Sequence, residues 1–85
     1  MVVMFYTYIL FSTKTHKYYV GQTNNLSDRL FRHNSGQQVS TKNGIPWILI
    51  VSFDFSTRKE AVYLETKIKK RGIKRFLIDN DLLEQ

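Results

Sequence analysis

The chain has no cysteine, a single proline, and only seven acidic residues among its 85. Without cysteine there is no disulfide staple, thiolate metal centre or thiol nucleophile, and a reducing, cytoplasmic setting is the default expectation. Long apolar runs are also missing. The opening stretch MVVMFYTYILF is far shorter than the ~20 residues a membrane-spanning helix needs, and it shows no basic leader or small-residue cleavage site. It reads as a strand, and no membrane association is expected. A chain this short supports one domain over residues 1–85, with its core at about 4–78, so any site must be built on a single layer of elements.

The scarcity of acid leaves a formal net charge of +6. The eight bases Arg58, Lys59, Lys67, Lys69, Lys70, Arg71, Lys74 and Arg75 face only Glu60 and Glu65 in the same segment, which therefore carries the whole surplus. A basic stripe attracts polyanions through counterion release and steering, which makes nucleic acid the first partner to consider. Lys67, Lys69, Lys70, Arg71 and Lys74 are the expected phosphate contacts. A solvated helix face is the competing reading of any charge run. An anionic membrane surface fits less well, because no strong apolar face is left over to insert.

Residues 2–11 are rich in β-branched and aromatic types, and a second such run, 17–23, follows a polar link, which predicts a β-hairpin. Asn25 can cap a helix over 26–35, with Asp28 as its capping-box partner and Gly36 as the stop. Residues 36–46 are polar and without period, a surface loop. The nearly unbroken apolar run 47–53 predicts a third strand covered on both faces. Thr57 and Glu60 make a capping box for a second helix that Gly72 ends, and 73–78 can add a short helical turn. The tail 79–85, with Asp79, Asp81 and Glu84, is expected to fray. The order is β-β-α-β-α in an α/β (α+β) domain.

Helical phase singles out three polar side chains. Glu65 falls in the arc of Ala61, Leu64 and Ile68, so a carboxylate is aimed at the core, where an unpaired charge costs several kcal/mol. On the shorter helix, Leu26 and Leu30 share a face with Arg29 and His33. Such groups on apolar faces mark a site, with a buried Arg29–Glu65 ion pair as the purely structural alternative. In the hairpin, Tyr8 and Tyr19 are strand aromatics, and Gly21 marks a close approach of backbone or ligand. A register in which paired residue numbers sum to 27 would set Tyr8 opposite Tyr19 and Tyr6 opposite Gly21.

Tyr6-Thr7-Tyr8, Tyr19-Val20-Gly21-Gln22-Thr23, Arg29-Leu30, His33-Asn34-Ser35-Gly36, Pro46-Trp47 and the stretch from Ala61 through Glu65 to Lys70 occur in that order. Together they resemble the GIY-YIG nuclease family, its small stand-alone bacterial members above all. Only the tyrosine of the first triplet is kept, and Gln22 stands where some relatives have lysine. The resemblance implies a three-stranded antiparallel sheet flanked by helices and hydrolysis of DNA phosphodiester bonds with one divalent metal, Mg²⁺ or Mn²⁺. It implies that Glu65 ligates the metal, since a hard cation that keeps several waters needs only one carboxylate. Arg29 would clamp the scissile phosphate with a planar, permanently charged fork. Tyr19 and Tyr8 would orient or deprotonate the attacking water, and His33 would share the proton or bond the phosphate. Gly21 and Gln22 would lie against the DNA.

From this follow a metal-dependent endonuclease of structured or damaged DNA, working alone or with a recruiting repair or recombination protein, and, as the alternative, a catalytically silent nucleic-acid-binding module of the same fold. A protein-interaction domain whose basic helix docks an acidic partner is a third, remoter class. Oligomeric state is not legible.

Overall fold

The computed structural model describes residues 3–83, so Val2 and Glu84 lie outside the described residues. Strands β1 (Phe5–Ser12) and β2 (Tyr18–Thr23) form the hairpin, followed by α1 (Leu26–Asn34), a 3-10 turn (Val39–Gly44), β3 (Trp47–Phe55), α2 (Arg58–Arg71) and α3 (Ile73–Asp79). The three strands make one antiparallel sheet in the order β2-β1-β3. The expected fold class and element order are therefore found.

β1 is central, and its residues Thr7 to Leu10 are fully buried. Alternation along it serves two cores. Ile9 and Val20 pack with Ile68, Phe76 and Leu77 beneath α2 and α3. Tyr8, Leu10 and Trp47 pack on the other face, with Leu26 and Leu30 of α1. The predicted caps hold both helices: the Asn25 side chain accepts from the Asp28 amide, and that of Thr57 from the Glu60 amide. Gly72 ends α2 at φ +96°, a left-handed value that a side chain resists.

Four expectations are corrected. The hairpin pairs Tyr8 with Gly21 and Tyr6 with Thr23, two residues away from the predicted register. Its five-residue loop is tied within itself, with Ser12 Oγ accepting from the Lys14 and Thr15 amides, and also from outside, with Ser12 Oγ donating to the Gly44 carbonyl at 2.6 Å, a contact that the hairpin sequence alone does not reveal. The polar stretch 36–46 is not wholly irregular, because the 3-10 turn runs through it. β3 is an edge strand rather than one covered on both faces. Ile48, Leu49 and Ile50 are exposed, and a bulge leaves Ile50 unpaired between the partners of Ile9 and Leu10. The tail is held rather than frayed as far as it is described. Asp79 takes two hydrogen bonds from Arg71, the Leu82 amide donates to the Leu77 carbonyl, and Leu83 packs on the core.

The two faces of β3 set a test of this core. Ile68→Ala removes a fully buried side chain and is expected to cost about 2–5 kcal/mol in urea unfolding. Ile48→Thr, on the open face, should shift stability by about 0.5 kcal/mol or less. Comparable losses in the two variants would mean that β3 is covered.

Candidate active site

β1 and β2 bring Tyr8 and Tyr19 to the α1 face of the sheet. The pairing of Tyr8 with Gly21 puts its ring over the β2 backbone at the only residue type that leaves room for it. A Cβ at position 21 would stand 2.6 Å from the Tyr8 hydroxyl and 3.1 Å from the Tyr19 ring. The close approach that Gly21 permits is thus that of Tyr8, and Gly21 itself is buried.

From α1, His33 turns fully inward to meet this phenol. Its Nε2 lies 2.9 Å from the Tyr8 hydroxyl and its Nδ1 lies 2.9 Å from Thr41 Oγ1. Thr41 is buried in the 3-10 turn, and its hydroxyl donates to the Gln38 carbonyl. One tautomer satisfies all of these contacts: Thr41 accepts from His33 Nδ1–H, and His33 Nε2 accepts from the Tyr8 hydroxyl. The Tyr19 ring closes the cluster edge-on to His33, with centroids 4.9 Å apart. Asn34 clamps the end of α1 to β3 through paired bonds with the Trp47 backbone at 2.6 and 2.9 Å. The indole of Trp47 donates to the Thr41 carbonyl.

The electrostatics of the cluster converge on Tyr8. Burial pushes its phenol up to about 12, with the Tyr19 hydroxyl and the Glu65 carboxylate acting in the same direction and Arg29 opposing them. His33 is held below 6.5, first by burial and then by the Arg29 charge. At neutral pH the pair is therefore an intact phenol and a neutral imidazole.

Arg29 and Glu65 thus both act on one phenol, yet they come from opposite layers and are not paired with each other. Glu65 pairs with Lys69 at 3.1 Å, one turn further along α2. The buried Arg29–Glu65 bridge entertained above is absent among the described residues. Glu65 borders the core without entering it, its side chain 18% exposed. The helical phase placed it near Ala61 and Ile68, but at the margin of that arc.

The basic residues do not form one stripe. Lys69 lies on the Glu65 flank of α2. Lys67 lies across the helix, lining a cleft of about 440 Å³ with Phe55, Lys59 and Tyr63 at the β3 side of the sheet. Lys70 borders a smaller hollow beside Tyr63. Arg71 is committed to Asp79 at 2.6 Å, and Lys74 is exposed on α3. Gln22 accepts a hydrogen bond from Arg58 at 2.8 Å. Thr41 and the bond from Arg58 to Gln22 escaped sequence reasoning, although Arg58 itself counts in the basic run. Thr41 sits in a stretch without period, and nothing local ties Arg58 to a residue 36 positions away.

Residues 4–75 match the family model for the GIY-YIG catalytic domain. The chain belongs to the GIY-YIG family. It is 37% identical to the UPF0213 protein YsiG of Lactococcus lactis subsp. lactis, over 95% of this chain and 81% of that protein. Its fold is similar to the solution NMR structure of the UPF0213 protein BH0048 from Bacillus halodurans, with a TM-score of 0.54 and 28% identity over 89% of this chain and 83% of that one. Within this GIY-YIG domain, Tyr8, Tyr19 and His33 are in mutual contact, and Arg29 and Glu65 both act on the Tyr8 phenol. A nuclease domain implies a nucleic-acid substrate. No helix among the described residues is long and apolar enough to cross a membrane.

Whether a divalent ion suits this GIY-YIG site can be judged from its donors. Among the described residues no three His, Asp or Glu side chains cluster to enclose a metal. Glu65 offers hard carboxylate oxygens with a single ion-pair partner, and an ion such as Mg²⁺ binds through one or two carboxylates and keeps its waters. The donor set fits.

Two outcomes test this geometry. Gly21→Ala forces the Tyr8 ring aside, at a cost of about 1–3 kcal/mol, and should move the His33 ring resonances in NMR spectra; unchanged resonances would place Tyr8 elsewhere. The second concerns pH. The folded imidazole takes its proton less readily than the unfolded one, so as pH falls below 6.5 the unfolded chain gains the proton first. Stability is then full above pH 6.5 and declines below it, toward the lower folded pKa. Urea midpoints at pH 7.5 and 5.5 should show this decline, and a smaller one in His33→Gln.

Proposed function

We propose that the chain is a metal-dependent DNA endonuclease that hydrolyses phosphodiester bonds of structured or damaged DNA in the cytoplasm, using Mg²⁺ or Mn²⁺. The observation that carries this reading is the pair of opposite charges, Arg29 and Glu65, that act on one buried phenol without neutralising each other. Opposite charges left unpaired with each other suit a ligand that brings both a negative phosphate and a cation. A module that only bound DNA would lose affinity by keeping a carboxylate against a phosphate.

Each residue has a role that follows from its setting. The half-buried guanidinium of Arg29 clamps the scissile phosphate and stabilises the charge that builds on it. Glu65 holds the divalent ion, which when bound supplies Lewis acidity at a phosphate oxygen. Tyr19 is only partly buried and can meet a water, whereas Tyr8 is sealed at 0% exposure. Tyr19 therefore orients the attacking water and, acting as the phenolate after giving its own proton to solvent, takes one proton of that water as its oxygen bonds to phosphorus; the bond to the leaving oxygen breaks, and that oxygen takes a proton from solvent. Tyr8, a phenol up to about pH 12, donates to His33, and with Thr41 it fixes the imidazole against the Tyr19 ring. Tyr8 is a positioning residue. Lys69, beside Glu65, adds phosphate attraction on the same flank. Contacts to phosphate and shape give little sequence preference, which suits recruitment by a repair or recombination protein.

Nicking of supercoiled and branched DNA with Mg²⁺, Mn²⁺ or EDTA tests the proposal. Wild type should cut only with metal, and Glu65→Gln and Arg29→Ala should each lose at least ~100-fold in rate. Tyr19→Phe should lose ~100-fold or more at unchanged DNA affinity. Tyr8→Phe, which keeps the ring but not its hydrogen bond, should lose roughly 10-fold. DNA binding without cleavage of any substrate would instead favour the silent binding module.

A further inference from the structure

We infer that Arg58 is a second phosphate-binding group, a positioning residue held ready beside the site by Gln22 and Phe5; the inference rests on the nuclease reading above and deepens it. Arg58 Nη1 donates to Gln22 Oε1 at 2.8 Å, and its guanidinium carbon lies 4.8 Å from the centre of the Phe5 ring. One contact fixes the end of the side chain and the other its plane. An exposed arginine normally spends rotamer freedom when it grips a ligand, and a guanidinium already held in place spends less.

Its placement says what it would grip. Arg58 and Glu65 are seven residues apart, about two turns, and so share one flank of α2 roughly 10 Å apart along the axis. Gln22 belongs to β2, so this flank overhangs the β2 edge of the sheet, the edge to which the Tyr8 phenol extends across Gly21. Lys67 and Tyr63 face the opposite edge, beside Phe55 of β3. A nucleic-acid strand whose scissile phosphate lies between Arg29 and Glu65 therefore runs along β2 and brings a neighbouring phosphate, one or two nucleotides away, under Arg58. The guanidinium has no carboxylate partner among the described residues. Its hydrogen bond goes to a neutral amide and leaves its charge uncompensated. The nearest acid in sequence, Glu60, is occupied by the cap hydroxyl of Thr57 at 2.8 Å.

The test measures DNA binding against salt, and single-turnover cleavage at saturating DNA, for wild type, Arg58→Ala, Arg58→Lys and Gln22→Ala. Arg58→Ala should bind roughly 10-fold more weakly and lower the slope of log affinity against log salt by about one. Its cleavage rate at saturation should stay within about twofold of wild type. Arg58→Lys should recover the salt slope but only part of the affinity, because an ammonium keeps the charge and loses the fork. Gln22→Ala should weaken binding a few fold with the slope intact. If wild type cuts DNA and Arg58→Ala binds it equally well with the same slope, this inference fails while the nuclease reading stands. A loss confined to the saturated rate also overturns it, since the residue would then act in the chemistry. A wild type that neither binds nor cuts DNA removes the nuclease reading and this inference with it.

Discussion

The whole arrangement depends on one steric allowance, the passage of the Tyr8 ring over the β2 backbone at Gly21. Because no side chain stands there, a residue from the central strand can send its hydroxyl across the neighbouring strand toward the sheet margin. His33 then has a buried donor for Nε2, Thr41 has an imidazole to receive, and the 3-10 turn that carries Thr41 is tied into the core through Trp47. An apolar ring at position 8 would take away the partner of a fully buried His33 nitrogen, a cost of about 1–3 kcal/mol. The polar chain is thus also structural: the elements that pack the α1 face are those that orient the cluster.

The sheet explains why one helix can carry two kinds of surface. α2 lies along the middle of its face, so its flanks look toward opposite edges. The flank over β2 presents Arg58, Glu65 and Lys69. The flank over β3 presents Lys67 and Tyr63 against Phe55. As one stripe, the basic run of the sequence suggests a single polyanion surface. In three dimensions its charges divide, and Arg71 leaves the set altogether by clamping Asp79. Only those on the β2 side stand where a phosphate held by Arg29 could continue.

What the sequence made legible was local. The caps at Asn25 and Thr57, the stop at Gly72 and the inward phase of His33 each depend on residues within a turn of one another, and all are found. The register was not legible. A five-residue loop tolerates several pairings, and the choice among them comes from the fit of Tyr8 over Gly21 and from Ser12 reaching Gly44, both contacts between distant segments. Nor could an apolar run distinguish a central strand from an edge strand. Thr7 to Leu10 and Ile48 to Val51 are similarly rich in apolar residues, but only the first group is enclosed by neighbours on either side. Glu65 illustrates the limit of periodicity. Its phase tied it to the buried arc, yet a helix flank that looks toward a sheet edge leaves the margin of that arc open to solvent.

For the metal ligand proposed above, that margin is the suitable place. A carboxylate in the middle of the core would be driven toward its neutral form, and a neutral acid is a poor ligand for a hard cation. Out in bulk water it would be fully hydrated and free to turn. On the β2 flank of α2, Glu65 keeps contact with water and pairs with Lys69, while Arg29 acts on the same phenol from the other layer. Neither layer contains both charges, so the site exists only while the sheet holds α1 and α2 on its two faces. Loss of packing on either face therefore disperses the site.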